Sequence, residues 1–139
     1  MPEDHDRQNI RSNSPYEAII GFSRAVRAGD TVYVSGTVAW GPDGVMLGIG
    51  DIYAQTKQAI ANIATALAQA GASLSDVVRT RVYVTNIDLW EEGLKAHREA
   101  FGSIRPASTL LEVSRLASPE MLVEIEAVAV LGLTGQNNE

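Results

Sequence analysis

Arg105-Pro106-Ala107-Ser108-Thr109-Leu110-Leu111-Glu112-Val113-Ser114-Arg115-Leu116, followed after a short turn by Val123-Glu124-Ile125-Glu126-Ala127-Val128-Ala129-Val130, is the stretch whose reading decides the fold. Each segment sets polar and acidic groups among aliphatic ones, and together they read as a hairpin of two strands. In the second, Glu124 and Glu126 are two residues apart, so their carboxylates project from one face while Val123, Ile125 and Ala127 take the other. Such a pair can be a plain solvent-facing strand surface, or it can share a proton or position a water.

The elements upstream fall into place around this pair. Asp88 starts a helical pattern in which Trp90, Leu94, His97 and Phe101 form one stripe, closed by Gly102. Before it, Val77 to Val84 alternates Val78, Thr80, Val82 and Val84 against Arg79, Arg81 and Tyr83, the period of a half-buried strand. From Asp51 to Ala70, Ile52, Ala59, Ile63, Ala66, Leu67 and Ala70 recur at helical spacing, with Asp51 suited to the N-cap and Gly71 to the position just past the end. Phe22 to Arg27 and Thr31 to Val38 read as an opening hairpin turned by Ala28-Gly29-Asp30. The order β-β-α-β-α-β-β predicts an α+β two-layer sandwich, with two helices on one face of a sheet. Residues 1–15 are polar and read as a flexible or peripherally docked arm, 16–133 as a single domain and 134–139 as a polar tail.

Composition narrows the function classes. The 139 residues suit one domain, and 45% hydrophobic with 20% charged residues is ordinary for a globular protein. No apolar run approaches the roughly 20 residues of a membrane span. The first fifteen residues lack the apolar middle of a secretory signal, so a cytoplasmic location is expected. Zero cysteines exclude disulfides, thiolate catalysis and sulfur-ligated metals. Two histidines, His5 and His97, make a histidine-rich metal site improbable, so neither metal nor cofactor is expected. A net charge of −6 without a basic cluster argues against nucleic acid as a partner. Serine–histidine–acid catalysis would need His97 as base, yet that residue shares its stripe with Trp90, Leu94 and Phe101 and reads as packed.

The proline segment and the Glu-Ile-Glu strand together resemble the RidA family, also called YjgF/YER057c/UK114, over about Ile20 to Val130. The resemblance implies a chorismate-mutase-like fold with a mixed sheet, a homotrimer with ligand clefts between subunits, and hydrolysis of reactive enamines or imines. Glu124 matches the residue thought to orient the hydrolytic water. Gly36 matches a glycine whose backbone lies against the ligand; a β-bulge is its structural alternative. Phe22 stands where relatives have a tyrosine lining the cleft, and Thr109 could add a hydroxyl there.

At the position of Ser108 the family implies an arginine that grips the carboxylate of a 2-imino acid with two charge-assisted bonds. A serine offers one neutral hydroxyl instead. Bonds to charged groups contribute roughly 1.5–3 kcal/mol, so this exchange weakens carboxylate binding by about one to two powers of ten. Arg105, three residues earlier, and Arg24, on the same side of its strand as Phe22, are candidates to restore the charge; each also reads as a solvated surface arginine. The expected site is therefore Glu124 as the catalytic group, with Phe22, Arg24, Gly36, Arg105, Ser108 and Thr109 binding a small molecule. A non-catalytic trimer that binds a small metabolite or has a regulatory or chaperone-like role is the alternative.

Overall fold

The computed structural model describes residues 6–135. Six strands form one mixed sheet: β1 (Arg7–Ile10), β2 (Ala25–Ala28), β3 (Thr31–Thr37), β4 (Val77–Val84), β5 (Ala107–Glu112) and β6 (Val123–Val130). Their spatial order is β1-β2-β3-β6-β4-β5, antiparallel throughout except for β4 with β5. Two helices, α1 (Ile52–Gln69) and α2 (Trp90–Phe101), complete the α+β architecture.

The helix ends obey the capping chemistry. The Asp51 carboxylate accepts from the Ala54 amide at 3.1 Å, and Gly71 turns the chain out of α1 at φ +84°. The buried stripe of α1, including Ile60, Ile63 and Leu67, packs on Val32, Val82, Ile125 and Ala127 of the sheet. Gln55, also fully buried, binds backbone on both sides of this layer. Its amide donates to the carbonyls of Gly48 (3.1 Å) and Glu120 (2.9 Å), and its carbonyl accepts from the Leu122 amide (2.9 Å).

The hairpin expected of the last two strands does not form. β6 inserts between β3 and β4, whereas β5 lies at the far edge, parallel to β4, with α2 as the crossover. The burial of each strand gives the reason. Every second residue of β6, from Val123 to Ala129, is at most 1% exposed, so this strand belongs at the centre of the sheet. β5 has no fully buried residue and suits an edge. Val78 is the other departure: a register shift between Val77 and Arg79 turns it outward, and the inward set becomes Val77, Thr80, Val82 and Val84.

Part of the segment read as an arm joins the sheet, because Arg7–Ile10 pairs with Ala25–Ala28 and Ile10 enters the core. A single π-type turn over Glu17–Gly21 then leads to β2. The expectations for residues 1–5 and 136–139 lie outside the described residues.

Candidate functional site

The face of the sheet turned away from the helices carries the acidic pair. Glu124 lies opposite Tyr83 of β4, and Glu126 opposite Arg81. The two carboxylates are treated differently by their neighbours. Glu126 accepts from the Tyr83 hydroxyl at 2.9 Å and lies 3.8 Å from Arg81 Nη1. No hydrogen bond reaches the Glu124 carboxylate among the described residues. Burial pushes the Glu124 carboxyl above its ordinary value, Arg24 pulls it back, and Glu126 adds to the rise. Of the pair, Glu124 is thus the one left open to a water or ligand.

Gly36 makes this arrangement sterically feasible. It sits in the β3 irregularity between Val34 and Thr37, opposite β6. A Cβ built there would overlap Glu124 Oε2 and lie 2.9 Å from its Cδ and 3.2 Å from its Cγ. The close approach that a glycine permits is therefore filled by the Glu124 side chain, and the bulge and the approach are the same feature.

Arg24 braces this corner. Its Nη1 donates to the Gly36 carbonyl at 2.7 Å and to Thr37 Oγ1 at 3.0 Å, while its Nε lies 3.7 Å from Glu17. Its guanidinium carbon stands 5.5 Å from the centre of the Phe22 ring. Glu17 is itself buried and held by the amide and hydroxyl of Ser12. Burial lowers the Arg24 pKa, and the charges of Glu17 and Glu124 oppose that shift. Only Nη1 of this arginine is engaged in hydrogen bonds; Nε is buried without a hydrogen-bond partner and Nη2 makes none among the described residues, so the guanidinium keeps donors to spare. Glu17 and its salt bridge had no signal in the sequence beyond a single acid among apolar residues.

Ser108 and Thr109 face opposite sides of β5. Thr109 Oγ1 accepts from Arg79 Nη2 at 3.0 Å on the open face. Ser108 pairs in register with the inward-facing Thr80, whose hydroxyl donates to Ser108 Oγ at 2.8 Å. Thr80 Oγ1 also lies 2.9 Å from His97 Nε2. The His97 ring packs tilted against Phe101 at 4.8 Å, and burial lowers its pKa. A cleft of about 670 Å³ opens here between α2 and β5, bordered by Trp90, Leu94, His97, Arg98, Ser108 and Leu110. Within one chain, Glu124, Gly36, Phe22 and Arg24 come together, and Ser108 stands with His97 on the other side of the sheet. Arg105 adopts φ +57° in the turn before β5, ahead of Pro106. The Thr80–His97 contact escaped the sequence reading; its only trace was two polar residues at inward positions.

Comparison with known proteins agrees with this architecture. The family described as Endoribonuclease L-PSP matches residues 12–131. A crystal structure of a YjgF/YER057c/UK114 family member from Mycobacterium tuberculosis is 48% identical, with a TM-score of 0.83 over 91% of this chain and 100% of that one. A RutC family protein from Pyrococcus abyssi is 38% identical over 108 residues, 78% of this chain and 84% of its own. The human protein named 2-iminobutanoate/2-iminopropanoate deaminase is 32% identical over 115 residues, 83% of each chain. By sequence across most of its length and by fold, the chain belongs to the YjgF/YER057c/UK114, or RidA, family.

Proposed function

We propose that the protein is a cytoplasmic homotrimer that hydrolyses a reactive imine or enamine to a carbonyl compound and ammonia, in a cleft between subunits. The observation that carries this reading is the open, partly desolvated Glu124 carboxylate above Gly36, in a chain whose human relative is named as an imine deaminase. In the proposed step a water attacks the carbon of the protonated imine while Glu124 takes one of the water's protons, which leaves a neutral carbinolamine. Glu124 then gives that proton to the amino nitrogen, the C–N bond breaks to release ammonia, and the Glu124 carboxylate takes the hydroxyl proton as the carbonyl forms, passing it finally to solvent or to the ammonia. A carboxylate with a raised pKa suits both transfers, and general acid–base catalysis contributes about 10²–10⁴-fold. Because Ser108 and Glu124 point to opposite faces of one sheet, a cleft lined by both requires two chains, which supports an oligomer with its clefts between subunits.

The test is ammonia release from freshly generated 2-aminoacrylate and from iminium analogues without a carboxylate, with the wild type and Glu124→Gln. Acceleration by the wild type and its loss in the variant are expected; no acceleration of any of these substrates would sink the reading.

Ser108 favours a second reading, a non-catalytic metabolite-binding or regulatory trimer, because a hydroxyl stands where the resemblance implies a guanidinium. Gain of deamination in Ser108→Arg would show that the remaining site is intact. No gain, with tight binding of an uncharged ligand, would favour the binding module. The ribonuclease activity in the family's description fits this chain poorly, since a net charge of −6 repels a phosphate backbone.

A further inference from the structure

We infer that Glu17 is a positioning residue for Glu124: its buried ion pair with Arg24 anchors the guanidinium beside that carboxylate and keeps it from bonding there. A positive charge then supports the base while the base's own lone pairs stay open to water. The inference rests on the deaminase reading only for what Glu124 does with that freedom.

The two charges meet at Gly36. Glu124 Oε2 fills the space where a Cβ of Gly36 would stand, and Arg24 Nη1 donates to the Gly36 carbonyl at 2.7 Å. An arginine and a carboxylate so placed ordinarily close into a charge-assisted bond. Among the described residues they do not, although Arg24 Nη2 has no other partner.

The anchors of Arg24 account for the separation. Its Nε lies 3.7 Å from Glu17, and its Nη1 is shared between the Gly36 carbonyl and Thr37 Oγ1. Thr37 spends its own hydrogen on the Ser35 carbonyl at 2.7 Å, so it turns a lone pair to the arginine. The Phe22 ring, 5.5 Å from the guanidinium carbon, closes another side. Of these anchors Glu17 carries the charge, and it is itself fixed, since the amide and hydroxyl of Ser12 both donate to its carboxylate.

The Glu17 and Arg24 side chains are only 7% and 12% exposed. A pair this buried gives little net stability, because desolvation of both charges offsets their attraction. Its use lies in what the guanidinium faces. Around Glu124, Glu126 stands on the same strand, and Tyr83 and Arg81 of β4 are both turned to Glu126. Arg24 is therefore the positive group left to act on Glu124.

The test is a carbon-13 titration of the Glu124 carboxyl, with kcat and KM for ammonia release beside it. Glu17→Gln and Thr37→Val each release one anchor, the second without altering any charge. In both, the guanidinium should turn onto Glu124 and move its titration downward. Freeing the base again would then cost kcat about tenfold to a hundredfold, with KM within about threefold of the wild type. Arg24→Gln should move the titration upward, because burial and Glu126 then act unopposed, and should carry the acid limb of the pH–rate profile with it. In the Arg24→Gln background neither other substitution should shift Glu124 further. Should Glu17→Gln fail to fold, Thr37→Val, of nearly the same shape as the wild type, carries the same test.

A Glu124 titration that stays in place or rises in Thr37→Val and in folded Glu17→Gln would overturn the inference, as would a further shift in the Arg24→Gln background. Ammonia release by the wild type with those titrations unmoved removes this role and leaves the deaminase standing. Titrations that move as described in a protein releasing no ammonia do the reverse.

Discussion

Replacing Gly36 by alanine isolates what the bulge in β3 does for Glu124. The backbone at Gly36 is outside the left-handed region, so alanine adopts it without strain, and the whole effect lies in the added methyl group. That methyl would stand 2.9 Å from Glu124 Cδ and 3.2 Å from Cγ, whereas carbon pairs rest at about 3.5–4.0 Å. The glutamate must therefore withdraw by about 1 Å, and because it is the far end of a flexible side chain, it can. A forced rotamer costs roughly 0.5–1.5 kcal/mol, offset in part by the roughly 0.5–1 kcal/mol gained when alanine replaces glycine within a strand. Global stability should therefore change by less than about 1 kcal/mol.

The catalytic effect should be far larger than the effect on stability. A misplacement of about 1 Å costs on the order of 10²-fold in rate, equivalent to about 2.7 kcal/mol of barrier. The assays are ammonia release beside thermal unfolding, with a carbon-13 titration of the Glu124 carboxyl as a readout independent of turnover. That titration should move back toward the ordinary carboxylate value of 4.5 as the displaced group meets water. In a Glu124→Ala background the second substitution should have no further effect. Turnover within twofold of the wild type, with the Glu124 titration unmoved, would refute the reasoning, as would a loss of several kcal/mol of stability.

Further outcomes follow from other contacts. Gln55→Leu leaves three part-buried backbone groups unmatched, each at the low end of the usual cost, about 1 kcal/mol, so the melting temperature should fall by roughly 6–12 °C in a thermal scan; a fall under 2 °C would contradict the role given to this amide. Glu124 has a folded-state pKa raised by burial, so its penalty to stability is present above that pKa and vanishes below the unfolded value. Glu124→Gln should accordingly be more stable than the wild type in urea at pH 7, with the gap closing by pH 4. His97 is shifted the other way by burial, so its stabilising contribution is present above 6.5 and declines as the pH falls through its folded value. An NMR titration midpoint at or above 6.5 would contradict this.

The helices were legible because their signals are local: Asp51 and Gly71 bound α1, and the apolar stripe sets its inner face. Strand order was not, because alternation tells which residues face inward but not which strand lies beside which. Glu124 and Glu126 were correctly expected on one face, yet nothing along the chain said that β6 would part β4 from β3, or that the proline segment would run parallel to β4. The same limit hid the site's division. Ser108 and Thr109 are adjacent in sequence and so face opposite sides, and only the β4–β5 register shows which side belongs to Glu124. β1 was missed because three of its four residues are exposed polar groups and Ile10 alone reaches the core. The Thr80–His97 pair joins a strand to a helix across 17 residues, a separation that no local pattern encodes.

The position of β6 also sets a timetable. The sheet comprises one ribbon, β1-β2-β3, and one parallel pair, β4-β5, that share no ladder except through the strand that comes last in sequence. During synthesis both can take shape early, but their apolar faces wait for β6, whose contacts are mostly distant along the chain and therefore slow to close. Until it inserts, the β3 and β4 edges are unpaired and open to other chains. Glu124 arrives on that same strand, so the candidate catalytic carboxylate takes its place in the step that completes the fold.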